Sequence, residues 1–173
     1  GGGGGRQLPG RGGRSGALRA GASAAGGDLP PDQGKTLSTR ADLRVDSVPT
    51  ASWDGAVMNN LIPPFNDPKV RQAFHLAVDK KDVVELTLFG QGVETISPIP
   101  PSHSFYAKDA VIPKVDPVAA KKLLAEAGQP NGIKIAIIVP IGRPVRERLG
   151  VTLQQLAKAG GFDITDTERE DAR

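Results

Sequence analysis

The stretch NNLIPPFNDPKVRQAFHLAVD, residues 59–79, constrains the fold of this chain more than any other part of it. Pro63 and Pro64 remove two backbone donors and bias Ile62 and Pro63 towards extended geometry. Asp67 is a favourable N-cap, and Pro68 suits the first helical position. Val70, Ala73, Phe74, Ala77 and Val78 then recur on one face at helical spacing. Asp79 predicts a second cap, with Asp82 placed where the helix dipole favours negative charge. A stiff extended lead followed by two helices set nearly end to end makes a platform rather than a catalytic loop.

The flanks differ sharply from this centre. Residues 1–28 are Gly, Arg, Ala and Ser with little else, and Leu8 and Leu18 cannot build a core. The composition predicts disorder, because little apolar burial offsets chain entropy. Two further readings are an RNA-binding Arg/Gly segment and translation out of frame in a GC-rich gene. Against the first, the aromatic residues that stack on bases are absent from this segment. From Leu29 the character changes. Pro30 and Pro31 predict a short helix containing Gln33, Lys35 and Thr36, weakened by Gly34. Leu43 and Val45 alternate with charged residues as in a short strand. A second strand is expected from Ser52 to Asn59, with Asp54-Gly55 as a turn signal inside it.

Beyond the central helices, the second of which is expected to end at Phe89 with Gly90 as its cap, residues 90–115 form a Pro- and Ser-rich excursion. Four prolines between 98 and 113 stiffen it, and Phe105 and Tyr106 are expected to pin it to the domain. Asp116-Pro117 repeats the earlier cap logic, with Ala119, Ala120, Leu123, Leu124 and Ala127 as the apolar face and Gly128 as the stop. IKIAIIV (133–139) reads as a buried central strand. Pro144 opens a last helix with Val145, Leu149, Leu153 and Leu156 on one side. GGFDIT starts another strand, and residues 166–173 form a charged tail. Helix, strand, helix, strand implies a parallel pair with a right-handed crossover, hence an α/β layer.

No reaction centre assembles from these residues. The chain has no cysteine, so thiolate metal sites and cysteine nucleophiles are excluded. There is no HExxH, no nucleophile elbow and no GK[ST] closing a phosphate loop. GQG at 90–92 follows a helix, not a strand, and so is no dinucleotide fingerprint. His75 is expected on a helix surface; His103 lies in the Pro-rich loop. No cofactor and no metal site are expected. The formal charge of +3 over 173 residues is too small to imply a polyanion partner, although Arg6, Arg11, Arg14 and Arg19 precede the first acid, Asp28. No apolar run approaches the roughly 18 residues of a membrane helix. No signal-peptide pattern opens the chain, which does not begin with Met; it reads as a mature form, a fragment or an imperfect gene product.

MNNLIPPFNDPKVRQAFHLAVDKKDVVELTLFGQGVETISPIPP (58–101) resembles the middle of the family-5 extracellular solute-binding proteins, the dipeptide, oligopeptide and nickel receptors of ABC importers. Met58-Asn59, then Pro63-Pro64-Phe65-Asn66-Asp67, Val70-Arg71-Gln72-Ala73 and Ala77-Val78-Asp79 stand at the places of that family's central run. SPIPPS (97–102) is similar to its post-helix loop. Tyr106, Asp116-Pro117 and KKLLAEAGQPNG (121–132) are similar to its next stretch, with Gln129 where an aromatic is usual. The later GFDI fits as well, although Gly160-Gly161 carries one glycine more than the family segment. The resemblance covers about 29–165.

It implies an α/β chain that is part of a two-lobed, periplasmic-binding-protein-like fold (type II, Venus-flytrap). Residues 29–60 would end the first lobe and supply crossing strands, and 61–165 would be a partial second lobe. It implies a non-enzymatic receptor that captures a peptide or similar small solute and passes it to ABC transporter permease subunits. Such a receptor is periplasmic or held at the cell surface, is expected to be monomeric, and has no nucleic-acid partner. In that design the crossing strand lies nearest the cleft, which makes Trp53, Asp54, Asn59 and Asn60 the candidate ligand contacts. Each has a plainer alternative: rim packing for Trp53, a turn for Asp54, and backbone bonding at the Pro-Pro corner for Asn59. For Arg71 the alternatives are an ion pair across the lobe or a solvated helix face.

Overall fold

A computed structural model describes residues 30–42, 44–46, 52–101, 103–109 and 111–169. The chain divides into two units, Gly1–Val48 and Pro49–Arg173. The expected features of residues 1–28, and Leu43 of the first expected strand, lie outside the described residues.

In the first unit, helix α1 spans Pro31–Ser38 with proline at its first position. Gly34 and Leu37 are its buried residues. The Thr36 hydroxyl donates to the Asp32 carbonyl at 2.9 Å, the back-bonding that lets a weak helix former sit inside a helix. Residues 44–46 are not a strand. Arg44 and Asp46 instead pair with each other at 2.9 Å on an exposed surface.

In the second unit, helices α2 (Pro68–Ala77), α3 (Lys80–Leu88) and α4 (Pro117–Glu126) start at the three aspartates that the sequence offers as caps. Asp67 accepts from the Lys69 amide at 2.7 Å, Asp79 from Lys81 at 2.8 Å, and Asp116 from Ala119 at 2.9 Å. Each bond satisfies a backbone donor that a helix start leaves free. Strand β1 (Ile133–Pro140), helix α5 (Pro144–Ala157), a 3-10 turn (Lys158–Gly160) and strand β2 (Phe162–Arg169) follow. The strands pair in parallel, with Ile133 opposite Phe162 and Ile135 opposite Ile164. Parallel pairing needs a crossover, and α5 supplies it.

The core lies between helices and sheet. Val70, Ala73, Phe74 and Ala77 of α2 meet Ala120 and Leu124 of α4, Leu149 and Leu153 of α5, and Phe162 and Ile164 of β2. Three phenylalanines form an edge-to-face chain through it. Phe65 and Phe74 stand 6.3 Å apart, and Phe74 and Phe162 stand 5.2 Å apart, each pair nearly perpendicular. The Asp116 amide also donates to the Leu76 carbonyl at 2.8 Å, tying the start of α4 to the end of α2.

Both glycines of Gly160-Gly161 have a structural cause. A Cβ on Gly160 would lie 2.3 Å from that of Ala77, so the 3-10 turn approaches α2 only without a side chain there. Gly161 holds a φ of 94°, in the left-handed region. The pair that departs from the family segment is therefore used at both positions.

Several expectations are corrected. Residues 52–59 form no strand and enter no ladder. Strand formation needs a partner edge, which local composition does not reveal. The Pro-Pro step is a turn, not an extended lead: the Asn66 amide donates to the Ile62 carbonyl at 3.1 Å, and the Pro63-Pro64 bond is cis. Helix α3 ends at Leu88, with Phe89 itself left-handed at φ 55° and Gly90 at 78°. β1 is half-buried rather than buried throughout, since Lys134, Ala136 and Ile138 are exposed. β2 runs to Arg169, into the stretch read as a charged tail. Phe105 pins nothing: it is 79% exposed, with its ring 5.6 Å from that of His103.

Candidate functional site

The segment from Ser52 to Asn60 reaches the α/β layer at two described points. Met58 is partly buried against the core. Asp54 accepts a bond from Arg146 Nε at 3.3 Å, on the first turns of α5. The remaining side chains of the segment are exposed, including the apolar Val57.

The four residues singled out from sequence fall as follows. Trp53 is 41% exposed, and its ring lies over Gly55, where a Cβ would come within 2.4 Å of the indole. Gly55 is thus the residue that lets the indole lie flat on the backbone. Asp54 is half-exposed and ion-paired with Arg146. The Asn59 side-chain oxygen accepts the Leu61 amide at 3.0 Å, so it does bond backbone where the segment enters the Pro-Pro corner. Asn60 follows it, exposed, at the start of that turn. All four therefore belong to one short, mostly exposed segment.

The corner that carries Asn59 and Asn60 is fixed from behind by Arg71. Its Nη1 donates to the carbonyls of Phe65 at 2.6 Å and Asn66 at 3.2 Å. Neither expected role of Arg71, an ion pair or a solvated face, describes this. A guanidinium from α2 bonds the loop that leads into α2, while Phe65 stacks edge-on against Phe74.

Two arginines that sequence reasoning passed over act on this unit. Arg146 lies 92 residues from Asp54, so nothing local signals the pair. Arg148 donates to the Thr87 carbonyl at 2.9 Å and lies 4.7 Å over the Phe89 ring. A cation at the C-terminal carbonyls of α3 suits the helix dipole. The only available signal was that Arg143, Arg146 and Arg148 cluster at the start of α5.

An open depression of about 280 Å³ is lined by Lys81, Val84, Glu85, Gly92, Val93 and Glu94. Near it, burial lowers the Lys80 ammonium from its ordinary value, opposed by Glu94 and Asp79. Partial burial first, and then the charge of Lys80, lower the His75 imidazole. Among the described residues no group of three or more His, Cys, Asp or Glu could hold a metal ion. Among them also, no helix is long and apolar enough to cross a membrane.

Comparison with known proteins places this geometry. The model of the bacterial extracellular solute-binding proteins, family 5 (middle), matches residues 8–172. That match is wider at both ends than the span over which the motifs are readable. The glutathione-binding protein GsiB of Pectobacterium atrosepticum is 32% identical over 133 residues, covering 76% of this chain and 26% of that protein. The heme-binding protein A of Haemophilus influenzae is 45% identical over 71 residues, covering 41% of this chain and 13% of that protein. Among solved structures, the periplasmic binding protein DppA of Helicobacter pylori in complex with peptide STSA superposes with a TM-score of 0.76 at 26% identity, covering 95% of this chain and 32% of that one. The chain thus spans about a quarter of the first relative and a third of the solved structure. Its α/β unit is part of the two-lobed periplasmic-binding-protein fold, and the chain belongs to the bacterial extracellular solute-binding proteins, family 5.

Proposed function

We propose that this chain is a piece of the substrate-binding component of an ABC importer, one that captures a peptide or similar small solute outside the cytoplasm and hands it to permease subunits. Trp53, Asp54, Asn59 and Asn60 form one wall of the solute cleft. The observation that carries this reading is the segment Trp53–Asn60: outside any ladder, anchored by Met58 and Asp54, and otherwise exposed. Rigid helices behind and polar groups in front suit a surface that holds a molecule without altering it. The role is binding, not catalysis. The relatives named above are binding proteins for glutathione, heme and a peptide. An RNA-binding role for the Arg/Gly-rich segment finds no support among them.

Trp53 is the only tryptophan, so its fluorescence reports on the wall alone. Titrating the chain with the tetrapeptide STSA, reduced glutathione and heme is expected to give a saturable change with at least one of them. A flat signal with all three, from a chain shown to be folded, overturns the reading.

A further inference from the structure

Met58 carries the only sulfur atom in the chain, which has one methionine and no cysteine. Sulfur is the side-chain atom that peroxides oxidise most readily, so their chemistry converges on this residue. Its position adds to that. Within the segment Trp53–Asn60, Met58 alone is partly buried, and it packs against the core. Its neighbour Val57 is 87% exposed. The segment's other anchor is the single bond from Arg146 to Asp54 at 3.3 Å, between side chains that are 49% and 37% exposed. A pair that open to solvent holds weakly. Partial burial leaves Met58 within reach of a small oxidant while its apolar contacts still hold the segment down.

We infer that Met58 is a modification site, an oxidisable latch through which peroxide loosens the candidate wall. The thioether sulfur attacks one oxygen of hydrogen peroxide. The S–O bond forms as the O–O bond breaks, the sulfur gives two electrons to the peroxide, and water leaves. The product is a sulfoxide, a polar group where an apolar side chain met the core. A polar oxygen without a hydrogen-bond partner is costly to bury, so the side chain leaves its contacts and the segment leaves with it. The fully packed core holds no sulfur and is untouched by the same reagent. The inference rests on the proposed solute-binding reading and adds regulation of the same wall: the reduced chain holds solute, the oxidised chain lets it go, and enzymatic reduction of the sulfoxide restores binding.

The test uses the full 173-residue chain, hydrogen peroxide as oxidant and STSA as solute. The intact mass is expected to rise by one oxygen atom. Amide signals of Val57, Met58 and Asn59 are expected to move to unstructured positions while those of α2 and β2 stay. STSA affinity, read by Trp53 fluorescence, is expected to fall roughly tenfold, the scale of one unpartnered polar group at a buried position. Methionine sulfoxide reductase should reverse all three changes. Met58→Leu, which has no sulfur, should show none of them on the same treatment. A mass that peroxide leaves unchanged overturns the inference. An oxidised chain with unaltered Val57 and Asn59 signals and unaltered STSA affinity also overturns it, and leaves the solute-binding reading intact. Loss of the whole amide pattern overturns it too, because Met58 would then support the core rather than the segment. If the reduced chain binds no STSA, the solute-binding reading falls and the inference falls with it.

Discussion

Arg71 shows how much of this unit depends on single side chains. It lies in the VRQA run, where its sequence neighbours suggest a solvated helix face, yet its guanidinium bonds two loop carbonyls and is partly buried. Replacing it with methionine keeps the stem and removes the donors. The expected cost is about 2–4 kcal/mol, read as a lower urea midpoint with little change in slope, because two charge-assisted bonds are lost and two carbonyls lose their partner. His75 gives a pH-dependent term. Its native value lies below the ordinary 6.5. The unfolded chain therefore takes up the proton first on acidification, so stability falls as pH drops through 6.5 towards the lowered native value, and the loss is constant below that. Melting curves between pH 7.5 and 5 should show this slope, and His75→Gln should flatten it. Of these two residues, only His75 was legible in advance, because a helix-surface position follows from spacing alone. Arg71 was not, because its partners lie on a loop whose turn the sequence does not announce.

At the scale of elements, the helices were readable and the strands only in part. Three aspartate caps, two of them followed by proline, act within a single turn of backbone, so sequence suffices to place them. Asp67→Ala and Asp116→Ala should each lower stability by about 1 kcal/mol, and their sum should be nearly additive only if the α2–α4 contact is undisturbed. Thermal melts of the two single variants and the double variant check this. Strand edges depend on partners far away in sequence. Residues 52–59 were expected as a strand and enter no ladder, while β2 continues past the point where its composition turns charged. The same distance hid Arg146, whose partner is 92 residues away. For the candidate site, sequence named Trp53, Asp54, Asn59 and Asn60, which lie on one segment, but not Arg146, the helix residue that pairs with Asp54. Among the proposed contacts, Asn59 has a backbone bond to Leu61, as its plainer alternative required.

At the scale of the whole molecule, the chain covers about a third of a two-lobed binding protein. The central claim is that Trp53–Asn60 is a solute-facing wall carried on a rigid α/β layer. The most direct measurement is residue-resolved mapping: amide and indole N–H signals of the isotopically labelled chain, followed while STSA is added. The account predicts saturable shifts at Trp53, Asp54, Asn59 and Asn60, with the helices behind them unmoved. Shifts confined to the depression lined by Lys81, Glu85 and Glu94, with the Trp53–Asn60 signals unchanged, would contradict it.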